Sequence, residues 1–169
     1  MARVIVVDSK TGNTRRLANA LASELGDEVA AAGTVEAAAA IARADTVLAG
    51  FWCDKGDCSE TAATMLQGLE GKRVFLFGTA GFGGSPEYFE RVLGNVRQHL
   101  PKTAQLIGTF MCQGRIAPAA RGRWEAALAK NPEDRQAKMM LMTFDAAEKH
   151  PTKQDLTRVV TAAKKALAC

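Results

Sequence analysis

The chain has 169 residues, 47% hydrophobic and 24% charged, which fits one globular domain with a substantial core. No apolar run approaches the roughly 20 residues of a membrane span. Met1-Ala2-Arg3 enters an apolar stretch too short for a signal peptide, so the expected location is the cytoplasm, with no membrane insertion. The net charge of +4 arises late: residues 1–112 carry 11 basic and 12 acidic side chains, residues 113–169 carry 11 and 6. That excess lacks the dense basic clusters and interleaved aromatics of a nucleic-acid surface, which leaves a solvated helical face or a docking site for an acidic protein.

The first element is the apolar run Val4-Ile5-Val6-Val7, a buried strand. After the loop Ser9-Lys10-Thr11-Gly12-Asn13-Thr14 comes a helix with the stripe Leu17, Ala18, Leu21 and Leu25. A weak strand over 27–31 and an alanine-rich helix over 35–43 follow, then a compact strand over 45–50. Ser59 starts the third helix, with Met65, Leu66 and Leu69 inward; residues 72–78 form the clearest strand. Ser85-Pro86-Glu87 is a helix start with an N-cap, a proline at the first helical position and an acid in the first turn. A last strand spans 104–112. The terminal helix opens at Thr152 with Asp155 as a capping box.

Continuous apolar strands alternating with helices predict an α/β fold, a doubly wound five-stranded parallel sheet with helices on both faces. Nearly forty residues separate the last strand from the terminal helix, too many for a structureless loop. Gly122 to Lys130 and Arg135 to Glu148 are read as a pair of helices inserted at about 113–150 of one domain.

The loop at 9–14 has neither Walker A nor Rossmann spacing. Its hydroxyls, glycine and helix N-terminus make it a phosphate cradle. The spacing S/T-x-T-G-x-T resembles the phosphate loop of flavodoxins, which hold flavin mononucleotide (FMN). The resemblance implies strand order 2-1-3-4-5, a flavodoxin-like fold and an FMN site where loops 9–14, 50–58 and 78–84 converge beyond the strand ends. Ser9, Lys10, Thr11, Gly12, Asn13 and Thr14 would hold the phosphate. In the second loop Trp52 would stack on the ring, with Cys53, Asp54, Lys55 and Gly56 beside it. A flipped Gly56 peptide would place its carbonyl on N5–H of a reduced flavin, and Asp54 and Asp57 would add negative potential. In the third loop Thr79, Ala80, Gly81, Phe82 and Gly83 would meet the pyrimidine edge, Phe82 standing where flavodoxins often carry a tyrosine. Cys112 or Arg115 reach the flavin rim or belong to a plain turn.

Cys53 and Cys58, spaced C-x4-C in a chain with two histidines, do not read as a metal site; they are reduced loop thiols or a reversible pair. No substrate-activating triad is visible, and His150 reads as a turn histidine. The expected function is electron transfer between redox partner proteins, acidic ones included. The alternative is an FMN-dependent reductase of a quinone, tetrapyrrole or similar substrate, with Met139, Met140, Met142 and Phe144 of the insertion as a lid or packed core.

Overall fold

A computed structural model describes all of residues 1–169. The elements run β1 (Arg3–Val7), α1 (Asn13–Leu25), β2 (Val29–Ala31), α2 (Val35–Arg43), β3 (Thr46–Asp54), β4 (Asp57–Cys58), α3 (Glu60–Gln67) and β5 (Arg73–Ala80). There follow α4 (Pro86–Arg97), β6 (Gln105–Gln113), α5 (Ala119–Lys130), α6 (Arg135–Ala147) and α7 (Lys153–Leu167). Five strands form a parallel sheet in the order β2-β1-β3-β5-β6, the expected flavodoxin-like topology. The short β4 pairs antiparallel with the end of β3.

The apolar runs are buried on both faces. Val4, Val6, Val47, Ala49, Val74 and Leu76 pack with α2, α3 and α4. Ile5, Val7, Leu48, Phe75 and Phe77 pack with α1 and α7. The alternation of side chains along each strand divides the two cores. Near the carboxyl ends of β3 and β5, two phenylalanines cover glycines on the neighbouring strand. A Cβ on Gly50 would meet the Phe77 ring at 2.5 Å, and one on Gly78 the Phe51 ring at 2.5 Å; the same residues are opposite in register. This interlock floors the region where the loops emerge.

N-cap side chains cap five of the seven helices, among them those at Ser59, Ser85 and Thr152 as expected. Thr34, Ser59 and Ser85 cap α2, α3 and α4, Asp134 caps α6, and Thr152 with Asp155 forms a capping box on α7. Three boundaries differ. The helix expected from Gly122 begins at Ala119. The segment 50–58, expected as a loop, is largely strand: β3 runs on to Asp54, and Lys55 (φ 50°) and Gly56 (φ 82°) make a two-residue turn into β4. Positive φ at both turn positions is what a tight hairpin on twisted strands requires. Thr79 and Ala80 likewise end β5, so the third loop starts at Gly81.

Helices α5 and α6 pack on each other, with a small core of Ile116, Phe144 and Ala147. Phe144 is therefore packed, while Met139 and Met142 are 62% and 73% exposed. No helix is long and apolar enough to cross a membrane.

Candidate functional site

β1 ends at Val7 and α1 begins at Asn13, which leaves Asp8–Gly12 at the carboxyl edge of the sheet. Gly12 takes φ 92°, a left-handed conformation open to glycine, and as the N-cap residue it offers α1 no side-chain cap of its own. The first turn contains no acid, and Lys10, Arg15 and Arg16 are exposed around it. A helix end whose Asn13 and Thr14 N–H groups are unclaimed, in a positive surround, suits an anion. The Ser9 Oγ accepts the Arg15 N–H at 3.2 Å, standing near the position an anion oxygen would take.

Two residues of this loop are already engaged elsewhere. Thr14 is fully buried; its Oγ1 donates to the Phe51 carbonyl at 3.2 Å and lies 2.9 Å from the Thr79 Oγ1. Its hydroxyl thus ties α1 to β3 and β5 under the loop. The Asn13 Nδ2 donates to the Arg115 carbonyl at 2.8 Å and to Thr11 Oγ1 at 3.2 Å. That amide ties the loop to the chain leaving β6, where the Arg115 N–H donates to the His150 carbonyl.

Trp52 is half-buried near the end of β3, with the Lys10 ammonium 5.0 Å above its ring. Across from it Gly81 and Phe82 open the third loop, and Tyr88, Arg91 and Asn95 project from α4. Together with Cys53–Gly56 these residues line a cleft of about 660 Å³. A groove of about 690 Å³ between α2 and α3 is slightly larger, but no loops from the strand ends converge on it. Phe82 is 50% exposed at the rim. The glycines here make room for neighbours: a Cβ on Gly83 would lie 2.4 Å from the Tyr88 ring, and one on Gly81 2.7 Å from Ile116.

Tyr88 lies beneath the third loop, its hydroxyl 3.6 Å from the Cys53 thiol; burial and then that thiol push its pKa up to about 12. The Gly56 carbonyl accepts the Asn95 Nδ2 at 2.9 Å, so it faces α4. Asp57 also turns to α4: burial opposes its charge, but the Cys58 N–H and His99 hold the carboxyl below its usual range. The Cys58 thiol is pushed up to about 12 by burial and then by Asp57. Cys112 is buried against the α1 and α7 core, away from any rim, and burial pushes its thiol up to about 12 as well. Cys53 and Cys58 are free thiols, opposite each other in register. His150 pairs with Asp155 at 2.6 Å as part of the α7 cap, a turn histidine as expected.

Sequence reasoning missed Tyr88, Asn95 and His99. The signal was present: 88, 91, 92, 95 and 99 recur at helical spacing and mark the face of α4 and its end that meets the hairpin.

A Flavodoxin domain model matches residues 4–164. The chain belongs to the flavodoxin family. A curated flavodoxin-family relative, the flavodoxin-like domain-containing protein BilS of Clostridium symbiosum (strain WAL-14163), is 35% identical over 173 residues, covering 92% of this chain and 90% of the relative. The protein of the same name from Clostridioides difficile (strain CD3) is 26% identical over 159 residues, with the same coverage. Among solved structures, the Streptococcus pneumonia TIGR4 flavodoxin superposes with a TM-score of 0.60 over 98% of this chain and 97% of its own, at 19% identity, which is agreement in fold. FMN is the cofactor of this flavodoxin domain. Its fit rests on the chain's own chemistry: a helix start with free N–H groups for a phosphate beside an aromatic-lined cleft of about 660 Å³.

Proposed function

We propose that this flavodoxin-family chain is an FMN-carrying electron carrier that works between redox partner proteins in the cytoplasm, as one domain with a helical insertion. The observation that carries the reading is the pairing of the glycine-led start of α1 with the Trp52 strand end at the switch point of strand order. When bound, FMN supplies the electron-accepting ring; the protein binds it, orients it and sets its surroundings.

In this reading the backbone N–H groups from Ser9 to Thr14 hold the phosphate, helped by Ser9 and Thr11 hydroxyls and the Lys10 ammonium. Gly12 keeps the backbone close, Asn13 braces the loop, and the Thr14 hydroxyl anchors it from below. Trp52 offers a ring face once Lys10 moves to the phosphate. Cys53, Asp54, Lys55 and Gly56 line one wall, and Gly81 and Phe82, with Gly83 next to them, the opposite edge. Thr79 and Ala80, expected in that edge, are buried at the end of β5 and support it from below. The Gly56 carbonyl faces Asn95 and would have to turn toward the cleft to accept a hydrogen bond from a flavin N–H. The positive surround at Lys10, Arg15, Arg16 and Arg115 favours partners with acidic docking faces.

Purified protein should be yellow, or take up added FMN with saturable quenching of flavin fluorescence. A colourless protein that binds no FMN overturns the reading. The exposed Met139 and Met142 support the second reading, a reductase whose insertion meets a small apolar substrate. Direct reduction of the bound flavin by NADPH favours the reductase; reduction only through another protein favours the carrier.

A further inference from the structure

Three side chains of different chemistry meet at the outer end of the hairpin. Asp57 and Cys58 are neighbours on β4, and His99 lies just past the end of α4. None of them lines the flavin cleft. A carboxylate oxygen, the thiol sulfur and an imidazole nitrogen lie within 4.8 Å of one another, and all three residues are half-buried. Neighbours on a strand ordinarily point to opposite faces. Here the Asp57 carboxylate curls back to accept the Cys58 N–H at 2.7 Å, which brings it toward the thiol. The His99 Nε2 is 3.0 and 3.1 Å from the two carboxylate oxygens.

We propose that Asp57, Cys58 and His99 bind a thiophilic divalent cation of the zinc class, with water in the fourth position. Zinc accepts thiolate, imidazole and carboxylate ligands in a tetrahedron, and three protein ligands plus water is a common arrangement. Metal–ligand bonds of about 2.0–2.3 Å set the donor atoms roughly 3.3–3.8 Å apart, so the observed cluster needs only small side-chain rotations. The sulfur and nitrogen donors disfavour calcium and magnesium, which take oxygen ligands. Binding releases the Cys58 thiol proton to solvent and replaces the Asp57–His99 hydrogen bond by two bonds to the metal. The thiolate and carboxylate then neutralise the cation. Cys53 stays outside the set, its thiol against the Tyr88 hydroxyl. The ion joins β4 to the end of α4 beside the Asn95–Gly56 hydrogen bond and stiffens the hairpin that carries Trp52.

The test titrates the reduced, full-length protein with Zn²⁺ by calorimetry and with Co²⁺ as a spectroscopic probe. The expected result is one ion per chain and the visible spectrum of tetrahedral, thiolate-bound Co²⁺. Affinity should fall at least tenfold in Cys58→Ser and in His99→Gln and stay unchanged in Cys169→Ser, an exposed thiol far from the cluster. In the unmutated protein, Zn²⁺ should protect Cys58 from alkylation, a readout that needs no variant to fold. Absence of saturable binding, a Co²⁺ spectrum lacking thiolate, unprotected Cys58, or an affinity indifferent to both variants overturns the proposal.

Discussion

The Thr14→Val substitution separates two roles for a hydroxyl in the phosphate loop. Valine has nearly the same shape but lacks the hydroxyl that donates to the Phe51 carbonyl and meets Thr79. Thr79 is 3% exposed, and Thr14 is its side-chain hydrogen-bond partner. The substitution therefore leaves a buried hydroxyl unpaired, at a cost of about 1–3 kcal/mol. For a domain of this size that lowers Tm by roughly 2–12 °C. Thermal unfolding of the FMN-free protein measures it, because the loop is then not stabilised by ligand. The double variant Thr14→Val, Thr79→Val should recover part of the loss, since removing both partners of a buried hydrogen bond costs less than orphaning one. An unchanged Tm with sharply weaker FMN binding would refute the anchoring role and return the Thr14 hydroxyl to the phosphate.

Gly12→Ala meets no neighbour within 4 Å but is strained at φ 92°. It should cost about 1–2 kcal/mol and weaken FMN more than riboflavin, which lacks the phosphate, in parallel fluorescence titrations. Trp52→Ala should weaken both flavins by up to about tenfold through lost stacking; equal affinities would place the ring elsewhere. Asp155 is held below its ordinary value of 3.8: burial opposes the charge, but the Thr152 N–H and His150 outweigh it. A depressed native pKa gives stability that is complete above 3.8 and is lost as pH falls through the native value. Asp155→Asn should therefore be less stable by about 1–2 kcal/mol at neutral pH, with the gap closing in strong acid; urea midpoints at both extremes check it.

Most of the scaffold was legible because it depends on local rules. The runs at 4–7 and 72–78 are apolar without alternation, and only a strand buried on both faces makes such a run stable. Ser59, Ser85 and Thr152 each satisfy helix N–H groups within three residues, so their helix starts needed no tertiary information. The hairpin at 52–58 was harder to see. Asp54-Lys55-Gly56-Asp57 looks like a polar loop until β3 and β4 pair around its positive-φ turn, with α4 fastened to it through Asn95 and His99.

The sequence by itself determined the alternation of strands and helices, the strand order through its family motif, and the position of the anion-binding helix end. These follow from side-chain period, capping and a glycine that can take left-handed backbone. Only the tertiary structure decided which polar groups remain available at that site. It turned the Thr14 hydroxyl inward, gave the Asn13 amide to Arg115, aimed the Gly56 carbonyl at Asn95, and gathered Asp57, Cys58 and His99. Hydrogen-bond partners 37 to 102 residues apart set those directions, and spacing along the chain cannot encode them.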